Sequence, residues 1–182
     1  MPKQLPRPTQ QELEKALALP DTVANSVKRR DVFWAFEQHV PDVSQIPFIK
    51  KALNDTDNGV IQSAAIAAGR LGPKAKELQM DLYEAAGYAP RGFVPGAYSE
   101  CLNALVSIEA DEEVILDLVR GHFGINNWLF FKDSLHALKR LGTQKALDLL
   151  IRIIIFSKTD LTKSQEKYTK KHFPEGYANK ST

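Results

Sequence analysis

Apolar positions along this chain recur three and four residues apart, and no stretch alternates apolar with polar in the manner of a strand. Three segments superpose when aligned on Leu71, Ile108 and Leu141. The first carries Ile61, Ala64, Ala65 and Ala68 before its anchor, the second Tyr98, Cys101, Leu102 and Leu105, the third Phe131, Ser134, Leu135 and Leu138. All follow the pattern i, i+3, i+4, i+7, i+10, which is one face of a helix. Ala67, Ala104 and Ala137 repeat at a fixed place before the anchors, and Ala64, Cys101 and Ser134 are all small. Small residues at repeated positions imply that neighbouring helices approach closely there. The segment "IQSAAIAAGRLGPKA" is the extreme case, and the expectation is that its helix is flanked on both sides.

Each segment is followed by a turn and a second amphipathic stretch: Leu78, Leu82 and Ala85; Ile115, Leu118, Val119 and His122; Leu147, Leu150, Ile151 and Ile154. The unit is a helical hairpin, and the anchors lie 37 and 33 residues apart. The insertion "GYAPRGFVPG" at 87–96 accounts for the longer spacing. A degenerate earlier copy fits Val32, Phe33, Ala35, Phe36 and His39, followed by Pro41 and a helix through Phe48, Ile49 and Leu53. Before it, Thr9 with Glu12 forms a capping-box pattern for a short helix over about residues 10–19, which Pro20 stops. Asp21 is then placed to cap a helix over about 22–39.

The stretches "DTDNGVIQSAAIAAGRLGPKAKELQMDLYEA", "SECLNALVSIEADEEVILDLV" and "DSLHALKRLGTQKALDLLIRI" resemble the HEAT-repeat superfamily, over about residues 26–156. The resemblance implies an all-α fold, a right-handed α–α superhelix of about four helical hairpins preceded by one short helix. It also implies that the second helices line a concave surface that binds another macromolecule. Three regions follow: an N-terminal arm and short helix over 1–21, helical repeats over 22–156, and a polar basic tail over 157–182.

Composition narrows the classes. The 182 residues are 43% apolar and 25% charged, as in ordinary folded domains, and no run approaches a membrane span. With no secretion signal visible and a single cysteine, Cys101, a cytosolic location is the expectation. Net charge is +2, and residues 157–182 hold six lysines against three acids, so the body carries −1. A broad nucleic-acid surface would call for a basic body.

Candidate contact residues fall in three places. Asp81, Glu84, Glu113 and Asp117 form an acidic strip along the second helices, which either suits a basic protein partner or is a solvated face. Tyr88, Arg91 and Phe93 sit in the insertion, which either projects toward a partner or bridges two diverging hairpins. Trp128 and Phe130 are large aromatics beside the core residue Phe131, and either anchor a partner or seal a junction. The last helix, "ALDLLIRIIIF", is apolar nearly all round and needs a cover, for which the tail with Leu161, Tyr168, Phe173 and Tyr177 is favoured over a second subunit.

His39, His122, His136 and His172 are scattered, Cys101 lies at a packing position, and no phosphate loop or nucleophile elbow is present. No catalytic residue, metal site or cofactor is therefore expected. The expected role is a non-catalytic protein-binding module: an adaptor, a regulator, or a dedicated inhibitor such as an immunity protein that neutralises a basic nuclease toxin. The alternative is a DNA-binding or base-excising protein, because "NNWLFFKDSL", with Trp128 and Asp133, is faintly similar to the HEAT-like DNA alkylation glycosylases.

Overall fold

The computed structural model describes residues 5–87, 95–122, 128–157 and 161–178. Among these the chain is entirely helical, without strands. Contacts divide it into two compact units, residues 1–118 and 119–182.

The N-terminal unit begins with α1 (Gln10–Leu17). Thr9 and Glu12 make the reciprocal capping box that the sequence calls for, with Glu12 Oε2 accepting from the Thr9 amide at 2.7 Å. The next helix, α2 (Val23–Glu37), is capped by Thr22 and not by Asp21. Asp21 is drawn away to a buried guanidinium: Arg29, 3% exposed, donates from Nη2 to Asp21 at 3.2 Å and to Asp55 at 3.1 Å. Its Nη1 meets the carbonyl of Pro20 at 3.3 Å. A buried charge has to be paired this fully to be tolerated.

A 3₁₀ turn (Val43–Gln45) leads into α3 (Ile46–Leu53), and Asp57 then caps α4 (Asn58–Leu71) by accepting from the amides of Gly59 and Val60. A second 3₁₀ segment (Gly72–Leu78) precedes α5 (Gln79–Gly87); α6 (Pro95–Ser107) and α7 (Glu112–Gly121) follow, the unit boundary falling inside α7. Helix α4 packs against both α2 and α6. Ala64, Ala65, Ala67 and Ala68 are all fully buried, so both neighbours exploit the missing volume. At Gly69 of α4 a Cβ would lie 3.4 Å from the backbone of Ala104 in α6.

The repeat is also written in the backbone. The residue after each anchor has positive φ: Gly72 at 61°, Glu109 at 55°, Gly142 at 66°. Gly72 pairs this with ψ −145°, a region essentially reserved for glycine. Glu109 closes α6 with the Ala110 amide reaching back to the Leu105 carbonyl at 3.0 Å, a Schellman-type ending that normally recruits glycine.

The C-terminal unit holds α8 (Trp128–Leu141), α9 (Gln144–Ser157), α10 (Lys163–His172) and α11 (Glu175–Ala178). Helices α8 and α9 pair as a hairpin, and the tail elements return onto it. Phe173 is fully buried, Gly176 lies against Ile154, and Tyr168 Oη is 2.9 Å from His136 Nε2. Ile153 is buried, while Ile155 and Phe156 stay exposed.

Candidate functional site

The acidic strip lies on the second helices of the N-terminal unit. Side chains tie these helices together at separations close to the repeat length. Asp81 of α5 is 3.3 Å from Lys50 Nζ of α3, and Tyr83 Oη of α5 donates to Asp117 of α7 at 2.6 Å. At the start of α7, Asp111 meets Lys76 Nζ at 3.0 Å and accepts from Gln79 at 3.1 Å. That hydrogen bond to Asp117, together with burial, holds the Tyr83 phenol above its usual range, so it remains a donor. Glu84, Glu113 and Asp117 are exposed, whereas Asp81 is half-buried and already occupied by Lys50. Met80 is 49% exposed and lies one turn before Glu84 on the same helical face.

The other predicted contacts fare differently. Tyr88, Arg91 and Phe93 lie outside the described residues. Phe130 is 2% exposed with its ring stacked on His122 at 6.1 Å, and Phe131, assigned to the core from the repeat pattern, is the half-buried one. Both residues sit a helical turn before the buried Ser134 and Leu135 pair, so spacing alone admits either; the α8 face turns toward the row Phe130, Ser134, Ala137. Phe130 thus offers no contact surface. Trp128 stacks on Phe131 at 5.5 Å and meets Tyr168 edge-on at 5.7 Å, which makes it a seat for the tail helix.

Around that seat, His136 contacts Tyr168 and, at 5.1 Å, the ring of Phe173. Lys139 lies over the Phe173 ring at 5.3 Å and donates to the His172 carbonyl, with Glu175 3.9 Å away. Burial pushes the His136 imidazole below its ordinary value; Lys132 adds to this, Asp133 opposes it, and His172 and Lys139 lower it further. Asp133 is half-buried on α8. Cys101 is fully buried, and burial drives its thiol far up, so it is a packing residue without thiolate character. Among the described residues no group of three His, Cys, Asp or Glu could hold a metal ion, and no helix is long and apolar enough to cross a membrane.

Sequence reasoning missed two features. Trp34, 52% exposed, shares a face of α2 with the exposed Val23 and Val27, a spacing that was legible as a second apolar stripe. The second is the division of charge. Residues 119–182 hold twelve Lys and Arg against five Asp and Glu, a net of +7, and residues 1–118 hold twelve against seventeen, a net of −5. A division at residue 157 hides this, because the basic residues of α8 and α9 then fall in with the acidic helices. Comparison with protein-family models, curated proteins and solved structures returned no match for the chain.

Proposed function

We propose that the N-terminal unit is a short HEAT-like stack of helical hairpins, α2 with α3, α4 with α5 and α6 with α7, that binds a protein partner without catalysis. A right-handed superhelix is the arrangement this reading entails. Support comes from the repeat pattern, from the packing of α4 against both α2 and α6, and from positive-φ residues recurring after the anchors. The observation that carries the binding role is the exposed acidic face of the second helices. Glu84, Glu113 and Asp117 project there beside Met80, on a unit of net −5. Cross-helix bonds such as Tyr83 to Asp117 hold that face in one arrangement, so little ordering cost falls on binding. A basic protein is the complementary partner, and an adaptor, or an inhibitor of a basic toxin such as a nuclease, is the role this chemistry fits.

The test has two steps. The tagged chain is recovered from its native lysate with nuclease added to one half, and the protein retained in both halves is titrated against wild type and the quadruple variant D81N/E84Q/E113Q/D117N. Expected is one near-stoichiometric protein that survives nuclease and binds the variant at least about tenfold more weakly, with a shallower salt dependence. Unaltered affinity removes the strip from the interface.

A further inference from the structure

The strong positive charge of residues 119–182 has a focus. Arg120, in the last turn of α7, and Lys145, Asp148, Leu149 and Arg152 of α9 line an open cleft of about 190 Å³. The four α9 residues are spaced i, i+3, i+4, i+7 and share one helical face. Lys145 and Arg152 are therefore two turns apart, about 10 Å along the helix axis. The lining thus holds Arg120, Lys145 and Arg152 with Asp148, which accepts from Gln144 Nε2 at 2.7 Å. A cleft lined by more cations than carboxylates, on a unit of strong positive charge, favours an anionic ligand. Two of the cations are guanidinium forks, the group best matched to phosphate oxygens.

We propose that this cleft binds the phosphate backbone of a nucleic acid. Cations spread over two helical turns match successive phosphates of one strand better than they match a single phosphate. The unit as a whole carries +7, so neutralisation extends beyond the cleft, as expected for a polyanion that releases its counterions on binding. An acidic protein would match only where its carboxylates happened to coincide with the same spacing. The cations are spaced to follow a phosphate backbone, which is the part of a nucleic acid common to every sequence.

The experiment is fluorescence anisotropy of a labelled 20-nucleotide oligonucleotide, single- and double-stranded, with the full chain between 50 and 200 mM salt. Two variants are compared with wild type: R120Q/K145Q/R152Q, and the tail control K163Q/K167Q/K171Q, each checked for an unchanged thermal melt. Expected for the cleft variant is at least about tenfold weaker binding and a salt slope reduced by about 2 to 3, each phosphate contact contributing close to 0.9. D148N should tighten binding severalfold, and the tail control should lose less than the cleft variant. Equal binding by cleft variant and wild type overturns the proposal, as does an equal loss in the tail control. Competition by polyglutamate as effective as by unlabelled oligonucleotide also overturns it, because the cleft would then read charge and not phosphate. The acidic quadruple variant should bind the oligonucleotide no more weakly than wild type, so this proposal and the protein-binding one fail separately.

Discussion

Arg29 is the side chain whose loss should cost most. It is buried against Asp21, Asp55 and two carbonyl oxygens, so removing it leaves the buried charge of Asp55 without its cation, while Asp21, 44% exposed, keeps the Thr56 hydroxyl. Arg29→Ala should destabilise the N-terminal unit by about 3–5 kcal/mol, read as a lower urea midpoint with unchanged slope. Its neighbour Arg30 is half exposed and pairs with Asp57 at 2.6 Å. Burial would raise the Asp57 carboxyl, but Arg30 and the capping amides outweigh it and hold the group below its ordinary value. A depressed carboxyl stabilises the fold above its unfolded value, near 3.8, and that contribution is lost as pH falls toward the folded value. Glu109 offers the opposite opportunity. A left-handed conformation costs a non-glycine residue about 1 kcal/mol, and its side chain is exposed, so Glu109→Gly should raise the melting temperature while Gly72→Ala lowers it. A lowered melting point for Glu109→Gly would mean that its side chain contributes more than the backbone strain costs.

The helices act as elements through close approach at one end of the chain and aromatic seating at the other. With Gly69 and Ala104 in contact between α4 and α6, Ala104→Leu should force the two apart and cost about 1–3 kcal/mol, measurable by chemical denaturation. The tail helices hold on through Phe173, Tyr168 and His136. Removal of residues 158–182 should lower the melting temperature and increase binding of an apolar dye; unchanged values would show that the contacts of α10 and α11 are idle. Tail docking should also respond to pH. Because burial lowers His136 below 6.5, the unfolded chain binds more protons in the interval beneath that value. The contribution is complete above pH 6.5 and falls away as pH drops through it. Amide exchange in α10, corrected for intrinsic rate, should therefore accelerate between pH 7.5 and 5.5, and His136→Gln should flatten that response.

At the scale of the molecule, charge is the organising property. A net of +2 conceals −5 in one compact unit and +7 in the other, and the two proposed surfaces follow that division. The acidic second helices suit a basic protein, and the Arg120, Lys145, Arg152 cleft suits phosphate. Each prediction carries its own salt dependence, because both surfaces are largely exposed and screened within about 8 Å at physiological ionic strength. A protein partner released by salt to the same degree from wild type and from the acidic quadruple variant would place its contacts elsewhere, with the exposed face of Trp34, Val23 and Val27 as the next surface to substitute.

The sequence by itself determined the helices, the capping box at Thr9 and the repeated small positions, because periodicity, capping and side-chain volume act over a few residues. The acidic residues of the strip were legible for the same reason, each standing at helical spacing from the last. Tertiary structure decided everything that depends on a distant partner. It drew Asp21 from a cap to Arg29, buried Phe130 in place of Phe131, and turned Trp128 toward Tyr168. It also brought Arg120 beside Lys145 and Arg152. Spacing specifies which side chains share a helical face, but burial and charge depend on which other faces meet it, and only the folded chain brings those together.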